Sequence, residues 1–430
     1  MGIIATVGRQ RQPKIQPDLR YYEQVKLMKN RYTKRTFPNG EFILKKLPTS
    51  DVGGQLDERL LRSIKIHRDP TPVIQYLNDI IEKQYNPFLF MYRRIVGTTL
   101  NRDISDGQVT IREYDFPIEE RFMHARVFYP DEVQQANEPV PVILYLHGGG
   151  FIGTTFDTIT NTCRGIAYKA GAVVVAFPYS LAPEKPFPHA LVDGIAMLGW
   201  VRDNAEMLGV DPGKIAIMGD SSGANIAAAM NIYDIESGNQ WIKQQILLYP
   251  VVNMALKETP GYEWSLDEYD IHDNDEIITF IVKSLGIGVH YINKLYVKNV
   301  DLKDPLLSPL FASDKTIQQM PPTIIVTAEY DFLRIESEAY AKRLVTNGVQ
   351  TSFFRYRGLD HGFVDKIGIF PQSEDALNEI GIRFRETFGL GKMTETESVW
   401  HFPSVYKWFS CIIRYIVFFA FRRKNVSDRF

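Results

Sequence analysis

The sequence predicts an α/β protein with a mostly parallel central sheet flanked by helices. The chain has 430 residues, of which 45% are hydrophobic, so it can bury a large core. From about residue 107 to His361, apolar strand-like runs alternate with helical segments. Polar residues of catalytic types directly follow several of these runs, at the sheet edge where ligands bind in open α/β sheets.

The predicted strands lie within residues 106–390. Each is an apolar run rich in β-branched or large side chains. They are expected at residues 109–114, 123–129, 141–146, 214–218, 323–328 and 351–356. A helix is predicted over residues 332–347, and Gly348 stands where a helix commonly takes its C-terminal glycine.

Residues 219–223 (GDSSG) provide the first catalytic signature. They follow the apolar run 214–218 and precede the small-residue run 224–230, which predicts strand, sharp turn and helix. The flanking glycines leave room for a strained backbone. The motif alone also fits an ordinary turn, but its context favours Ser221 as a nucleophile.

A glycine-rich segment at residues 147–151 (HGGGF) directly follows the predicted strand 141–146. Backbone N–H groups aimed at a carbonyl oxygen stabilise its developing charge, and losing one donor typically costs about 100- to 1000-fold in rate. We predict that Gly148, Gly149 and Ser222 donate these hydrogen bonds. A phosphate-binding loop is the alternative, but neither common nucleotide-binding glycine pattern is present.

His361 and Asp331 are the predicted base and orienting acid, and each follows a predicted strand. Histidine suits a general base because its ordinary pKa is about 6.5. The acid fixes the ring tautomer and stabilises the imidazolium. The competing candidates are His147 and His189 for the base, and Glu329 and Asp360 for the acid.

Together these motifs resemble the hormone-sensitive-lipase-like branch of the α/β-hydrolase fold, also called the alpha/beta hydrolase fold-3 group. The resemblance covers roughly residues 106–390. The matching segments are 147–151, 181–184 (LAPE), 219–225, 248–250 (LYP), 304–310, 331–334 and 360–363. The order of serine, aspartate and histidine along the chain is also that of α/β-hydrolases.

The resemblance implies an α/β-hydrolase fold with a helical cap. It further implies a serine carboxylesterase or lipase-like hydrolase that acts on small-molecule esters through an acyl-enzyme, without a cofactor. The implied triad is Ser221, Asp331 and His361. A non-catalytic small-molecule-binding protein on this fold and an amide-hydrolysing, deacetylase-type relative are the alternatives.

The sequence departs from the family pattern at three places. Relatives usually read Asp-Tyr-Arg at residues 178–180, where this chain reads Pro-Tyr-Ser, which puts a salt bridge near the site in doubt. Phe332 replaces a proline, and Ile335 stands where relatives carry a second acid. Ala224 replaces a common glycine after the nucleophile turn.

The two ends of the chain differ from the central region. Residues 1–105 are predicted to form a basic N-terminal arm and helical cap region, with a helix over residues 71–84. The acidic stretch 261–292 is a candidate second cap piece. Residues 391–430 form an aromatic and basic tail.

Within this tail, residues 406–424 are predicted to contact a membrane peripherally. The apolar run is too short as a helix for a hydrocarbon core of about 30 Å. Arg414 also lies inside it, which disfavours a span. A helix lying in the membrane interface fits the pattern, whereas docking on the protein or a partner, and a spanning anchor, are the alternatives.

Charge, cysteine content and the start of the chain limit the other functions and locations that the sequence predicts. The net charge of −2 does not indicate nucleic-acid binding, and the chain start lacks a signal-peptide pattern. Cys163 and Cys411 make no disulfide framework, and no metal-ligand spacing stands out. A cytoplasmic location, with membrane association through the tail, is expected, and no cofactor is predicted.

Overall fold

The structure is a computed structural model. It describes residues 6–7, 19–64, 93, 101–118, 121–136, 138–154, 156–256 and 261–392. The chain divides into two compact units, Met1–Met393 and Thr394–Phe430. Every described residue belongs to the first unit.

Eleven strands of the described residues form one sheet in the order β1-β4-β5-β7-β6-β8-β9-β10-β11-β3-β2. The pairs from β7 through β3 in this order are parallel, and the remaining pairs are antiparallel. The strands are β1 (Thr6–Val7), β2 (Tyr32–Phe37), β3 (Gly40–Lys45), β4 (Val109–Ile118), β5 (Arg121–Pro130), β6 (Val140–Leu146), β7 (Val173–Ala176), β8 (Val210–Asp220), β9 (Ile242–Leu248), β10 (Thr323–Tyr330) and β11 (Thr351–Asp360). The predicted fold class is confirmed.

The helices form two packing groups. Helix α4 packs against α11, which also contacts α1, whereas α7 packs against α5 and α9. They are α1 (Leu19–Met28), α2 (Glu58–Ile64), α3 (Asp131–Gln134), α4 (Phe156–Ala170), α5 (His189–Asp203), α6 (Ala205–Leu208), α7 (Ser222–Glu236), α8 (Asp275–Tyr296), α9 (Asp314–Ile317), α10 (Arg334–Thr346) and α11 (Pro371–Phe388). Helix α10 confirms the helix predicted over residues 332–347, and Gly348 follows it with φ of 90°.

The central strands are buried along their length. Every residue of β10 is buried, as are the last six residues of β6. Strands covered by helices on both faces read as nearly continuous apolar runs, which is why the sequence revealed them. Because these strands are parallel, their carboxyl ends lie at one edge and bring the following loops together.

The N-terminal region contains a hairpin that the sequence analysis did not predict. Strand β3 pairs in parallel with β11, from Gly40 opposite Thr351 to Lys45 opposite Tyr356, and β2 pairs with β3 as the outermost strand. Residues 32–45 therefore extend the main sheet, in addition to the arm and cap that the sequence predicts within residues 1–105. The predicted helix over residues 71–84 lies outside the described residues.

A buried ion pair anchors this hairpin. Lys45 is fully buried, and its Nζ lies 2.9 Å from Asp375 Oδ2 and also binds Glu379, both on α11. Asp375 in turn accepts a hydrogen bond of 2.8 Å from Tyr356 of β11. A buried charge needs such partners, because an unpaired one is strongly destabilising.

Within the described part of the chain, no helix combines the length and the apolar character needed to cross a bilayer. The predicted membrane-contacting residues 406–424 lie outside that part.

Candidate active site

The predicted triad residues meet at the carboxyl edge of the sheet. Ser221 follows β8, Asp331 follows β10 and His361 follows β11. His361 Nε2 lies 2.9 Å from Ser221 Oγ, and His361 Nδ1 lies 2.7 Å from Asp331 Oδ2. The His361 side chain is 22% exposed, so the centre is accessible from outside.

Ser221 has a strained backbone conformation, with φ of 53° and ψ of −118°. Such a conformation costs a non-glycine residue on the order of 1–3 kcal/mol, and it persists only where the surroundings hold it. A Cβ atom at Gly219 would lie 2.4 Å from Gly223 backbone atoms, and one at Gly223 would lie 2.1 Å from the carbonyl oxygen of Leu146. Both glycines are therefore required for the turn to fit.

Asp331 is fully buried and uses both carboxylate oxygens. Its Oδ1 accepts a hydrogen bond of 2.8 Å from the Leu333 N–H, while Oδ2 faces His361. An ionised Asp331 makes Nδ1 the protonated nitrogen of a neutral His361, which leaves Nε2 to accept the Ser221 proton.

The groups around His361 favour its positively charged imidazolium form. Burial lowers the pKa of His361, but the charge and hydrogen bond of Asp331 outweigh it, so the pKa lies above its ordinary value. Asp360 and Asp220 raise the pKa further through their charges. The Tyr249 ring meets the imidazole edge-on at 4.8 Å and helps to hold its orientation.

The two competing histidines have other partners. His147 Nδ1 donates to the carbonyl oxygen of Gly148 at 2.8 Å, and its ring stacks on Tyr179 at 4.1 Å. Burial lowers the pKa of His147 to about 4, which keeps it neutral. His189 is exposed and donates to the carbonyl oxygen of Pro186 at 2.7 Å.

The competing acids are also engaged elsewhere. Glu329 Oε2 accepts a hydrogen bond of 2.8 Å from the Gly358 N–H, and burial raises the pKa of Glu329. Asp360 forms an ion pair of 3.0 Å with Lys366. Asp331 is the one acid of the three that the structure places in hydrogen-bond contact with His361.

One of the three predicted oxyanion donors has an acceptor within the protein. The Gly148 N–H donates to Asp220 Oδ1 at 2.8 Å, so this N–H is already engaged within the protein. Among the described residues, the N–H groups of Gly149 and Gly150 have no acceptor. Ser222 is the first residue of α7, where an N–H has no intrahelical acceptor.

The loop that carries these groups is shaped by three successive positive φ angles. They are 115° at Gly149, 62° at Gly150 and 61° at Phe151. A Cβ atom at Gly149 would lie 1.7 Å from the carbonyl oxygen of Gly153, so no other residue fits there. We call residues 147–153 the oxyanion loop.

Asp220 links the oxyanion loop to the nucleophile turn. Its Oδ1 accepts hydrogen bonds of 2.8 Å from the Tyr145 hydroxyl and from the Gly148 N–H. Burial raises the pKa of Asp220 to about 6, against the lowering effect of these two hydrogen bonds. This linking role of Asp220 was not predicted, although Asp220 lies inside the GDSSG motif and directly precedes Ser221.

An ion pair lies beside the departure at residues 178–180. Asp193 on α5 accepts from the Ser180 N–H at 2.7 Å and forms an ion pair with Arg121 of β5. Arg121 also reaches Ser180 Oγ at 3.3 Å. A guanidinium from β5 thus provides a salt bridge to α5 beside Ser180.

Helix α8 contacts both sides of the site. A Cβ atom at Gly286 would lie 2.6 Å from the Phe332 ring, and one at Gly150 would lie 2.7 Å from Ile292. Phe332 also lies 5.2 Å from Trp264, measured between ring centres. Helix α8 therefore reaches from the residue after Asp331 to the oxyanion loop.

The described residues do not suggest a metal centre. Among them, no group of three or more His, Cys, Asp or Glu side chains is placed to hold a metal ion.

Comparisons with known proteins agree with this geometry. The profile of a family described as alpha/beta hydrolase fold matches residues 143–365. Esterase LipI of Mycobacterium tuberculosis is 32% identical over 253 residues, covering 59% of this chain and 74% of the relative. An arylesterase of Saccharolobus solfataricus is 32% identical over 264 residues, covering 60% of this chain and 76% of the relative.

Solved structures give the same result. A hyperthermophilic esterase from the archaeon Pyrobaculum calidifontis has a TM-score of 0.58 and 32% identity, covering 78% of this chain and 99% of that one. A structure described as an arylesterase has a TM-score of 0.60 and 27% identity, covering 77% and 99%. The chain therefore belongs to the α/β-hydrolase fold family, in the hormone-sensitive-lipase-like branch that its motifs predict.

Proposed function

We propose that Ser221, His361 and Asp331 hydrolyse carboxylic esters through an acyl-enzyme. The observation that carries the proposal is the continuous hydrogen-bonded chain from Ser221 Oγ through His361 to Asp331, with lengths of 2.9 and 2.7 Å. A hydroxyl is a weak nucleophile until a base removes its proton, and this chain provides the base and its orienting acid.

Relatives support the same reaction class. Proteins similar to this chain are named esterases, carboxylesterases and arylesterase, which confirms the prediction of a carboxylic ester hydrolase. Small-molecule esters are the substrate class that these names support. The retained triad residues argue against a purely ligand-binding protein on this fold.

The proposed reaction has two halves. Ser221 Oγ attacks the ester carbonyl while His361 Nε2 takes the hydroxyl proton, and the same proton then goes to the departing alcohol. Water, deprotonated by His361, attacks the acyl-enzyme and releases the acid together with free Ser221. Asp331 holds the imidazole in the required tautomer and stabilises the imidazolium in both halves.

We assign the oxyanion hole to the N–H groups of Gly149, Gly150 and Ser222. Gly150 replaces Gly148 in this assignment because the Gly148 N–H is bonded to Asp220. The positive φ angles at Gly149 and Gly150 support the assignment, since they turn the backbone sharply beside the nucleophile turn.

The test compares wild-type protein with Ser221→Ala on p-nitrophenyl acetate, butyrate and a long-chain ester. Hydrolysis that Ser221→Ala abolishes, together with fluorophosphonate labelling lost in the same variant, is the expected result. The matched control is Ser237→Ala, an exposed serine at the other end of α7, which should remain fully active. Folded wild-type protein that neither hydrolyses any ester nor takes the label would refute the proposal.

The proposal also includes contact between the C-terminal tail and a membrane. We infer from its aromatic and basic composition that residues 406–424 contact an anionic lipid surface. The full chain should float with vesicles containing anionic phosphatidylserine, whereas a chain ending at residue 392 should not. Equal flotation of the two proteins would contradict this contact.

A further inference from the structure

Arg93 joins three separate points near the oxyanion loop. Its Nε–H donates to the carbonyl oxygen of Ile152 at 2.6 Å, and one terminal nitrogen donates to the carbonyl oxygen of Ala182 at 2.9 Å. The two terminal nitrogens also bind the two carboxylate oxygens of Glu184, at 2.9 and 2.6 Å. The guanidinium thus fastens the end of the oxyanion loop to the LAPE segment.

The oxyanion loop needs such restraints because its backbone is strained. Phe151 has a φ of 61°, which a bulky side chain rarely adopts unless its surroundings hold it. Three contacts supply this hold. The Phe151 ring stacks on Tyr296 at 3.8 Å, its carbonyl oxygen accepts from the Ala182 N–H at 2.9 Å, and Arg93 binds the next carbonyl along the chain.

Backbone hydrogen bonds within the oxyanion loop link Ile152 to Gly149. The N–H groups of Ile152 and Gly153 both donate to the carbonyl oxygen of Gly149, at 3.2 and 3.0 Å. The Gly149 carbonyl shares its peptide unit with the Gly150 N–H, so a shift of Ile152 should move this proposed donor directly and the adjoining Gly149 N–H through the chain. Rate is sensitive to such shifts, because donors must lie at hydrogen-bond distance from the developing oxyanion.

We propose that Arg93 is a positioning residue for the oxyanion hole. It holds the loop in the conformation that aims the Gly149 and Gly150 N–H groups at the substrate oxygen. Arg93 lies outside residues 143–365, the stretch that matches the family profile. Arg93 therefore supports the hydrolase domain from outside that stretch, an inference that rests on the proposed esterase function.

The carbonyl contacts, and not the ion pair, carry this role. The Glu184 side chain is 53% exposed, so water and salt screen its charge, whereas the carbonyls of Ile152 and Ala182 tie Arg93 directly to the backbone. The planar guanidinium offers several N–H donors in a fixed fork, which lets it bind two carbonyls and a carboxylate together. Lysine, a compact point charge, cannot reproduce that set.

The test measures kcat and KM on p-nitrophenyl butyrate for the full chain carrying Arg93→Ala, Arg93→Lys or Glu184→Gln. Both Arg93 variants should lower kcat by about 10- to 100-fold, the loss that misplacement by an ångström causes, with KM changed less than about threefold. Glu184→Gln should stay within about threefold of wild type, since both carbonyl contacts remain. Arg62→Ala, which removes an exposed arginine paired with Glu58, is the matched control and should have no effect.

Two further measurements separate positioning from general stability. A trifluoromethyl ketone forms a tetrahedral oxyanion on the nucleophile, so its inhibition constant should rise in parallel with the loss of kcat/KM in both Arg93 variants. Added methylguanidine should restore part of the activity of Arg93→Ala. Wild-type kcat in either Arg93 variant, or an unchanged inhibition constant for the ketone, would overturn the proposal.

Two other outcomes are also decisive. If Arg93→Ala does not fold, Arg93→Lys decides the question, because full activity with lysine would show that charge alone suffices. Wild-type protein inactive on every ester would instead refute the proposed function, a result distinct from an active wild type with unaffected Arg93 variants.

Discussion

The two sides of the active site hold their reactive groups by different means. On the nucleophile side, Ser221 and Phe151 are non-glycine residues with positive φ. A Cβ atom at the nearby Gly149, Gly219 or Gly223 would collide with backbone atoms. On the acid–base side, Asp331 and Glu329 are buried carboxylates that accept backbone N–H groups at strand ends. The first side should therefore be sensitive to added atoms, and the second to lost charge or lost acceptors.

The largest expected effect comes from Asp331→Asn, which changes charge without changing shape. The amide cannot hold His361 in the required tautomer, and we expect kcat to fall by about 10⁴-fold. Ester hydrolysis by the purified variant measures the loss, with circular dichroism to establish folding. A loss of less than tenfold would mean that shape alone holds the acid–base side.

The next effect comes from Gly149→Ala, which adds one methyl group on the nucleophile side. The new Cβ atom would meet the carbonyl oxygen of Gly153, and φ at this position is 115°. Displaced N–H donors should lower kcat/KM by at least about 100-fold.

The matched control is Gly348→Ala, because Gly348 has a φ of 90° and no atom within 4 Å of its Cβ position. It should lower stability through backbone strain and leave kcat/KM unchanged. Equal activity of the Gly149 and Gly348 variants would show that the added methyl group does not disturb the donors.

A smaller effect is expected at Glu329. One substitution there removes the negative charge but keeps a hydrogen-bond acceptor, and another removes both. Glu329→Gln keeps an oxygen for the Gly358 N–H and should leave the free energy of unfolding nearly unchanged. Glu329→Ala leaves this buried N–H without an acceptor and should lower the free energy of unfolding by about 1–3 kcal/mol.

Urea denaturation of the two Glu329 variants and the wild type measures the difference. If the glutamine variant loses as much stability as the alanine variant, the negative charge itself is what matters at Glu329. The acid–base side would then be sensitive to lost charge and not to a lost hydrogen-bond acceptor.

The smallest effect is a shift of the pH–rate profile. His361 must be neutral to act as a base, and Asp331 holds the pKa of His361 above its ordinary 6.5. Activity should therefore be lost as the pH falls through a value above 6.5. An acid limb of kcat/KM centred below pH 6.5 would mean that burial, which lowers this pKa, outweighs the carboxylate.

Sequence patterns could bring Ser221, Asp331 and His361 together as candidates because each follows a buried apolar strand in a recognisable motif. For the oxyanion donors, the motif locates the loop but not the hydrogen bonds of each N–H. Whether the Gly148 N–H points toward a substrate or toward Asp220 depends on the rotation of one peptide unit, which the local sequence does not encode.

Long-range partners also escaped prediction. Arg93 finds its acceptors at Ile152, Ala182 and Glu184, and nothing near residue 93 in the sequence identifies them. The β2–β3 hairpin did carry a signal, because Pro38 and Asn39 separate two strand-like runs. Its place beside β11 depended on buried charges such as Lys45, a residue type that usually indicates the surface.

The parallel pairing of β3 with β11 has a consequence for synthesis of the protein. Glu41 and Ser352 are hydrogen-bonded across this pair although 311 positions separate them. At about 5–20 residues per second, roughly 300 residues take about 15–60 s to emerge from the ribosome. An isolated hairpin is marginally stable in water, so the newly made β2–β3 segment waits for that time without its partner strand. This sheet edge can thus be completed only late in synthesis, after β11 has emerged.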